Sequence, residues 1–249
     1  SMDLGVEMIR MVCTPTVDGV VIPDHPVRLF RQGKQHPVSL ITGITNNEST
    51  IFLPLFLPSG AGPKEYRQYV ETAFPSNANR VLQLFPFSAE SEAWENIDRL
   101  ISAKWFGAWA NAMARESAGQ GNAVWFYKIT RKPPEEAAEL LLADSSDEDV
   151  PAEKLGVPHG SELFSVFGFT PILLGFDDED RAFSEQVMTY WTNFAKMGNP
   201  NGEGLPCWPG YGSATKRDYI DFGGNITTRS ALDIGLLGLV EATWLTSAY

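Results

Sequence analysis

The chain has 249 residues, of which 43% are hydrophobic and 20% charged, and its formal net charge is −12. Such a composition is globular and long enough to bury a sizeable core. The acidic balance argues against nucleic acid and anionic membrane as partners, since both need clustered Lys and Arg.

Ser1-Met2 reads as the remnant of tag cleavage ahead of a first codon and is set aside; residues 3–249 read as a single domain. Residues 14–24, TPTVDGVVIPD, read as an extended segment around an Asp18-Gly19 turn. PVSLITGIT (37–45) is a compact, β-branched apolar run and predicts a short buried strand ending in the loop Asn46-Asn47-Glu48. PKEYRQYVETAF (63–74) and NANRVLQLF (77–85) predict two short helices, the second stopped by Pro86. Ser88–Ser117 carries the longest helical pattern: Trp94, Ile97, Ile101, Trp105, Ala108 and Ala112 recur at steps of three and four, with Gly107 as a candidate kink. NAVWFYKIT (122–130) is β-branched and aromatic, hence a strand. Residues 131–158 carry prolines, a short helical piece and the acidic run Asp144–Asp149, and read as a long, partly mobile loop. Asp180–Met197 is an amphipathic helix capped by Gly198, 217–223 a hairpin arm, and 229–247 a terminal helix.

Alternating strands and helices argue α/β. Clear buried strands are few, at 38–44 and 123–130 with room for a third, and so small a sheet would leave a long open edge. The pattern therefore describes part of an α/β domain. No apolar run reaches the roughly 18 residues of a membrane-spanning helix, and no signal-peptide pattern is seen. The two cysteines, Cys13 and Cys207, make neither a disulfide scaffold nor a zinc site, and their pairing is open. No metal-ligand spacing occurs and no cofactor is implied.

Three histidines are present. His25 and His36 each precede a proline, in settings that suit a structural or solvated ring. His159 sits in Gly156-Val157-Pro158-His159-Gly160, a sharp loop of the kind that carries catalytic groups in α/β enzymes. Glu48 follows a strand and precedes an apolar run, so its carboxylate needs a partner; the plainer alternative is a glutamate favoured by a helix N-terminus. Ser117, in Arg115-Glu116-Ser117-Ala118-Gly119, is one residue away from the G-x-S-x-G nucleophile elbow. That elbow needs a strand before it and a helix after it. Ser117 has the reverse, and Arg115 stands where the tight turn needs glycine.

Four motifs in order carry a resemblance. PTVDGVVIPDHP with VSLITGITNNESTIFL resembles the segment of type-B carboxylesterases and cholinesterases that bears the acidic triad member. GVPHGSELFSVFG resembles their histidine segment, and FSEQVMTYWTNFAKMGNPNG with WPGY their late helix and turn. The match implies the C-terminal half of an α/β-hydrolase fold, with Glu48 as triad acid, His159 as triad base and Glu162 in a supporting salt bridge. The order acid then histidine, 111 residues apart, agrees with that fold. The family's nucleophile and oxyanion loop come earlier in sequence and are not found ahead of Glu48. The resemblance therefore implies a fragment of a carboxylic ester hydrolase, inactive by itself, whose partner is a missing N-terminal half supplying the serine, and which is open to self-association. The alternative is a non-catalytic, cholinesterase-like adhesion or structural domain. The ester itself is not specified, because half of the pocket is absent.

Overall fold

A computed structural model describes residues 16–53, 62–86, 90–140, 152–169, 175–212, 217–230 and 232–246. Four strands form one sheet in the order β1 (Leu40–Thr45), β2 (Val124–Ile129), β3 (Tyr219–Phe222), β4 (Ile226–Arg229). The first three run parallel, with Leu40 opposite Val124 and Tyr127 opposite Ile220, and β4 returns antiparallel to β3. The two clear sequence strands are present with slightly shifted ends, and the hairpin arm supplies β3. This mixed open sheet with packed helices is a partial α/β-hydrolase fold, as expected. β1 lies at the edge of the sheet.

In chain order the helices are α1 (Pro26–Arg31), α2 (Pro63–Ala73), α3 (Ala78–Leu84), α4 (Glu90–Ser102), α5 (Ala108–Gly119), α6 (Glu135–Leu140), α7 (Ala152–Leu155), α8 (Glu162–Val166), α9 (Asp178–Met197) and α10 (Ile234–Thr246). The long helix expected over 88–117 is not continuous. It is α4 and α5 joined by a π-turn, Ala103–Gly107, so Gly107 closes a π-turn and does not simply kink an α-helix. Within the span 131–158, residues 152–155 are helical as well as the expected helical piece at 135–140; 141–151 lie outside the described residues.

Alternation along β2 divides the core into two layers. Val124 and Phe126 face α4, α5 and α10, packing with Ile97, Leu100, Leu236 and Val240. Trp125 and Ile129 face α9, packing with Phe183, Val187, Tyr190 and the buried Trp208. Trp208 is locked by donating its Nε1–H to the Phe126 carbonyl at 2.9 Å. α9 begins with a capping box between Asp177 and Asp180 and ends at Gly198. Cys207 is an exposed free thiol, and Cys13 lies outside the described residues.

Candidate active site

The site is built where the loop that leaves β1 meets the loop between α7 and α8. β1 ends at Thr45, and the chain turns sharply through Asn46–Thr50. The turn is closed by the Glu48 carboxylate, whose Oε1 accepts the Thr45 N–H at 2.7 Å. Asn47 forms a parallel bridge with Pro158 in the loop that carries His159. Its N–H donates to the Val157 carbonyl at 3.0 Å, and its Oδ1 accepts the Val157 N–H at 3.1 Å. Thr50 adds a third tie, donating its hydroxyl to the Leu155 carbonyl at 2.8 Å. Two segments far apart in sequence are thus stitched side by side at the C-terminal end of β1.

The consequence is a contact between Glu48 Oε2 and His159 Nδ1 at 2.6 Å. The Glu48 side chain is 5% exposed and that of His159 45% exposed. The carboxylate raises the imidazole's affinity for a proton, chiefly through this hydrogen bond, against the opposing effect of burial. A carboxylate on Nδ1 fixes the tautomer and stabilises the imidazolium, leaving Nε2 for proton transfer. The two residues singled out in the sequence therefore meet, with the carboxylate buried and the imidazole open to solvent.

Other sequence candidates lie elsewhere. His25 stacks on Trp109 with ring centroids 5.4 Å apart, and His36 is exposed. Ser117 is buried near the C-terminus of α5. It precedes β2, whereas Glu48 follows the parallel β1, so the two lie off opposite ends of the sheet. Neighbouring Arg115 pairs with Glu116 and with Glu241 at 2.7 Å. The salt bridge expected at Glu162 is not formed among the described residues: its Oε2 is buried without a hydrogen-bond partner. Burial raises the Glu162 carboxyl above its ordinary range. Glu162 lies on the wall of an apolar groove of about 560 Å³ between α8 and α9, with Tyr127, Leu163, Phe167, Met188 and Trp191.

Asp98 is not among the sequence candidates, yet it organises the loop of Glu48. It is 1% exposed on α4 and accepts from Asn47 Nδ2 at 2.8 Å, the Ser49 hydroxyl at 2.7 Å and the Ser102 hydroxyl at 3.0 Å. A signal exists: Asp98 stands four residues after Trp94 and three before Ile101, within the apolar stripe, where a carboxylate must have partners.

A partial α/β-hydrolase sheet with a carboxylate–histidine pair at a strand's C-terminal end defines the class. The particular family emerges from comparison. The carboxylesterase family profile matches residues 5–233, and the chain belongs to that family. It is 29% identical over 244 residues to carboxylesterase 1C of Rattus norvegicus, covering 92% of this chain and 42% of that protein. It is 31% identical over 226 residues to liver carboxylesterase of Sus scrofa, covering 85% of this chain and 38% of the relative. Liver carboxylesterase 1 of Mus musculus is 30% identical over 223 residues, covering 84% and 37% respectively. The chain thus spans about two-fifths of the length of these relatives.

Proposed function

We propose that this chain carries the acid and base of a serine esterase, Glu48 and His159, and that the nucleophilic serine and oxyanion donors come from a preceding segment. The 2.6 Å contact between Glu48 Oε2 and His159 Nδ1, at the end of a parallel strand, carries this reading. In the reaction, His159 Nε2 takes the proton of the serine hydroxyl as oxygen attacks the ester carbonyl. It then returns the proton to the departing alcohol, and a water molecule repeats the cycle on the acyl-enzyme. The Glu48 carboxylate balances the imidazolium.

Three features support a covering segment. β1 has no outer neighbour among the described residues. Leu163 and Phe167 are 46% and 64% exposed. The groove they border is apolar. Uncovered, such surfaces favour self-association.

The test is hydrolysis of p-nitrophenyl butyrate. The chain alone is expected to give no turnover. A version extended by the N-terminal region of the relatives' full length is expected to turn over the ester and to lose on the order of 10⁴-fold or more on His159→Ala. Turnover by the chain alone that disappears on Ser117→Ala overturns the reading. So does an extended protein indifferent to His159→Ala.

A further inference from the structure

The π-turn Ala103–Gly107 lies next to the site. A π-turn inserts one residue into a helix, which rotates the next helical segment by roughly 100°. Phe106 lies within this insertion. Its ring packs on the imidazole of His159, with centroids 4.6 Å apart and planes inclined by 36°. Phe52, from the loop of the acid, stacks on Phe106 at 6.3 Å and 15° and lies 6.1 Å from the imidazole. Trp105 backs Phe52 at 6.3 Å. The histidine ring thus has a hydrogen bond on one nitrogen and an aromatic wall beside it.

A side chain as open as that of His159 has several staggered rotamers to choose from, and one hydrogen bond at Nδ1 leaves much of that choice unrestricted. Ring packing restricts it further. We propose that Phe106, presented by the π-turn, is a positioning residue that holds the His159 ring with Nδ1 on Glu48. The proposal rests on the reading of Glu48 and His159 as a working pair. It concerns how the pair is kept together.

The test uses the chain itself with isotopically labelled histidine. With only three histidines, each imidazole can be followed separately by NMR. The wild-type protein is expected to show nuclear Overhauser contacts between the ring protons of Phe106 and His159, and an upfield ring-current displacement of the latter. Phe106→Leu should abolish that displacement and lower the ratio of the Glu48-bonded rotamer to the others roughly two- to tenfold, the equilibrium equivalent of one aromatic pair. The His159 midpoint should then fall toward 6.5, because its rise depends mainly on that bond. Phe106→Tyr should retain the wild-type values. The carboxylates that act on the imidazole are Glu48 and Glu162, and both remain in the two Phe106 variants.

A rise of the midpoint in Phe106→Leu overturns the proposal, since it would mean that Phe106 only desolvates the ring. Absence of the Overhauser contacts in the wild type overturns it too. If circular dichroism shows Phe106→Leu unfolded, the wild-type contacts and the Phe106→Tyr midpoint decide. Failure of the pairing itself looks different: Glu48→Gln would leave the midpoint unmoved while the Phe106–His159 contacts persisted.

Discussion

Asn47 Nδ2 donates to Asp98 Oδ2 at 2.8 Å, and this bond ties the loop of Glu48 to α4. The same carboxylate takes the Ser49 N–H at 3.2 Å and the Ser49 and Ser102 hydroxyls at 2.7 and 3.0 Å. Asp98→Ala strands these donors in a buried place, and we expect a loss of about 3 kcal/mol in urea unfolding. Burial holds the Asp98 carboxyl above its ordinary value of 3.8, outweighing its hydrogen bonds. The folded state therefore binds this proton more tightly than the unfolded one. The stabilisation from that proton is complete below 3.8 and is lost as pH rises through the folded value. Asp98→Asn is expected to remove this pH dependence, measured as the difference in unfolding free energy between the two proteins across the acid range.

Gly156 has φ +63, and a Cβ there would run into the Asn47 carboxamide. Gly156→Ala should therefore strain the backbone and push apart the two loops that Asn47 joins. We expect a loss of roughly 2–3 kcal/mol together with a broadened or shifted His159 signal. Gly160 is the control. Its φ is +85, but a Cβ there meets nothing within 4 Å. Gly160→Ala should cost only the left-handed penalty of about 1–2 kcal/mol. Equal effects of the two substitutions on His159 would show that the steric argument at Asn47 is wrong.

These two positions also mark what the sequence displays and what it hides. The apolar runs at Leu40–Ile44 and Val124–Ile129 announce their strands because side chains on both faces of the sheet pack against a core layer. Glu48 and His159 are visible because each belongs to a motif in which polar residues interrupt apolar ones. The interruption at Ala103–Gly107 is marked in the sequence only by Gly107, since the apolar spacing of Ile101, Trp105 and Ala108 suits an unbroken helix equally well. The rings of Phe52, Phe106 and His159 pack beside the π-turn, and contacts between residues so far apart in sequence are encoded by no local pattern. Asp98 is marked by its place in the apolar stripe, but its partners are not, because its four donor groups come from residues 47, 49 and 102. The short hairpin β3–β4 is foretold only as one arm, because Gly223-Gly224-Asn225 reads as a generic turn.

Trp208 is the centre of the second core layer. It is 1% exposed and meets Tyr190, Trp191 and Phe222 with ring centroids 5.6, 5.5 and 5.3 Å away. Trp208→Ala should cost about 3–5 kcal/mol, read from chemical unfolding. Trp208→Phe fills part of the space but leaves the Phe126 carbonyl without its donor. An intermediate loss, about 2 kcal/mol, is expected. A Phe variant as stable as wild type would show that the indole N–H contributes nothing.

The proton affinity of His159 supplies the most direct test of the pair. Its hydrogen bond to Glu48 is the largest influence raising it above 6.5, and burial is the opposing one. Glu48→Gln removes the carboxylate charge, so burial gains weight and the imidazole midpoint should drop. The folded value is raised in the wild type, so this pair stabilises the fold fully below 6.5 and ceases to do so as pH rises through the folded midpoint. Wild type and Glu48→Gln should accordingly differ most in stability on the acid side of neutrality and converge at alkaline pH. Imidazole NMR gives the midpoints and urea unfolding at matched pH gives the stabilities. A Glu48→Gln protein whose midpoint equals that of wild type would mean that Glu48 does not govern the protonation of His159.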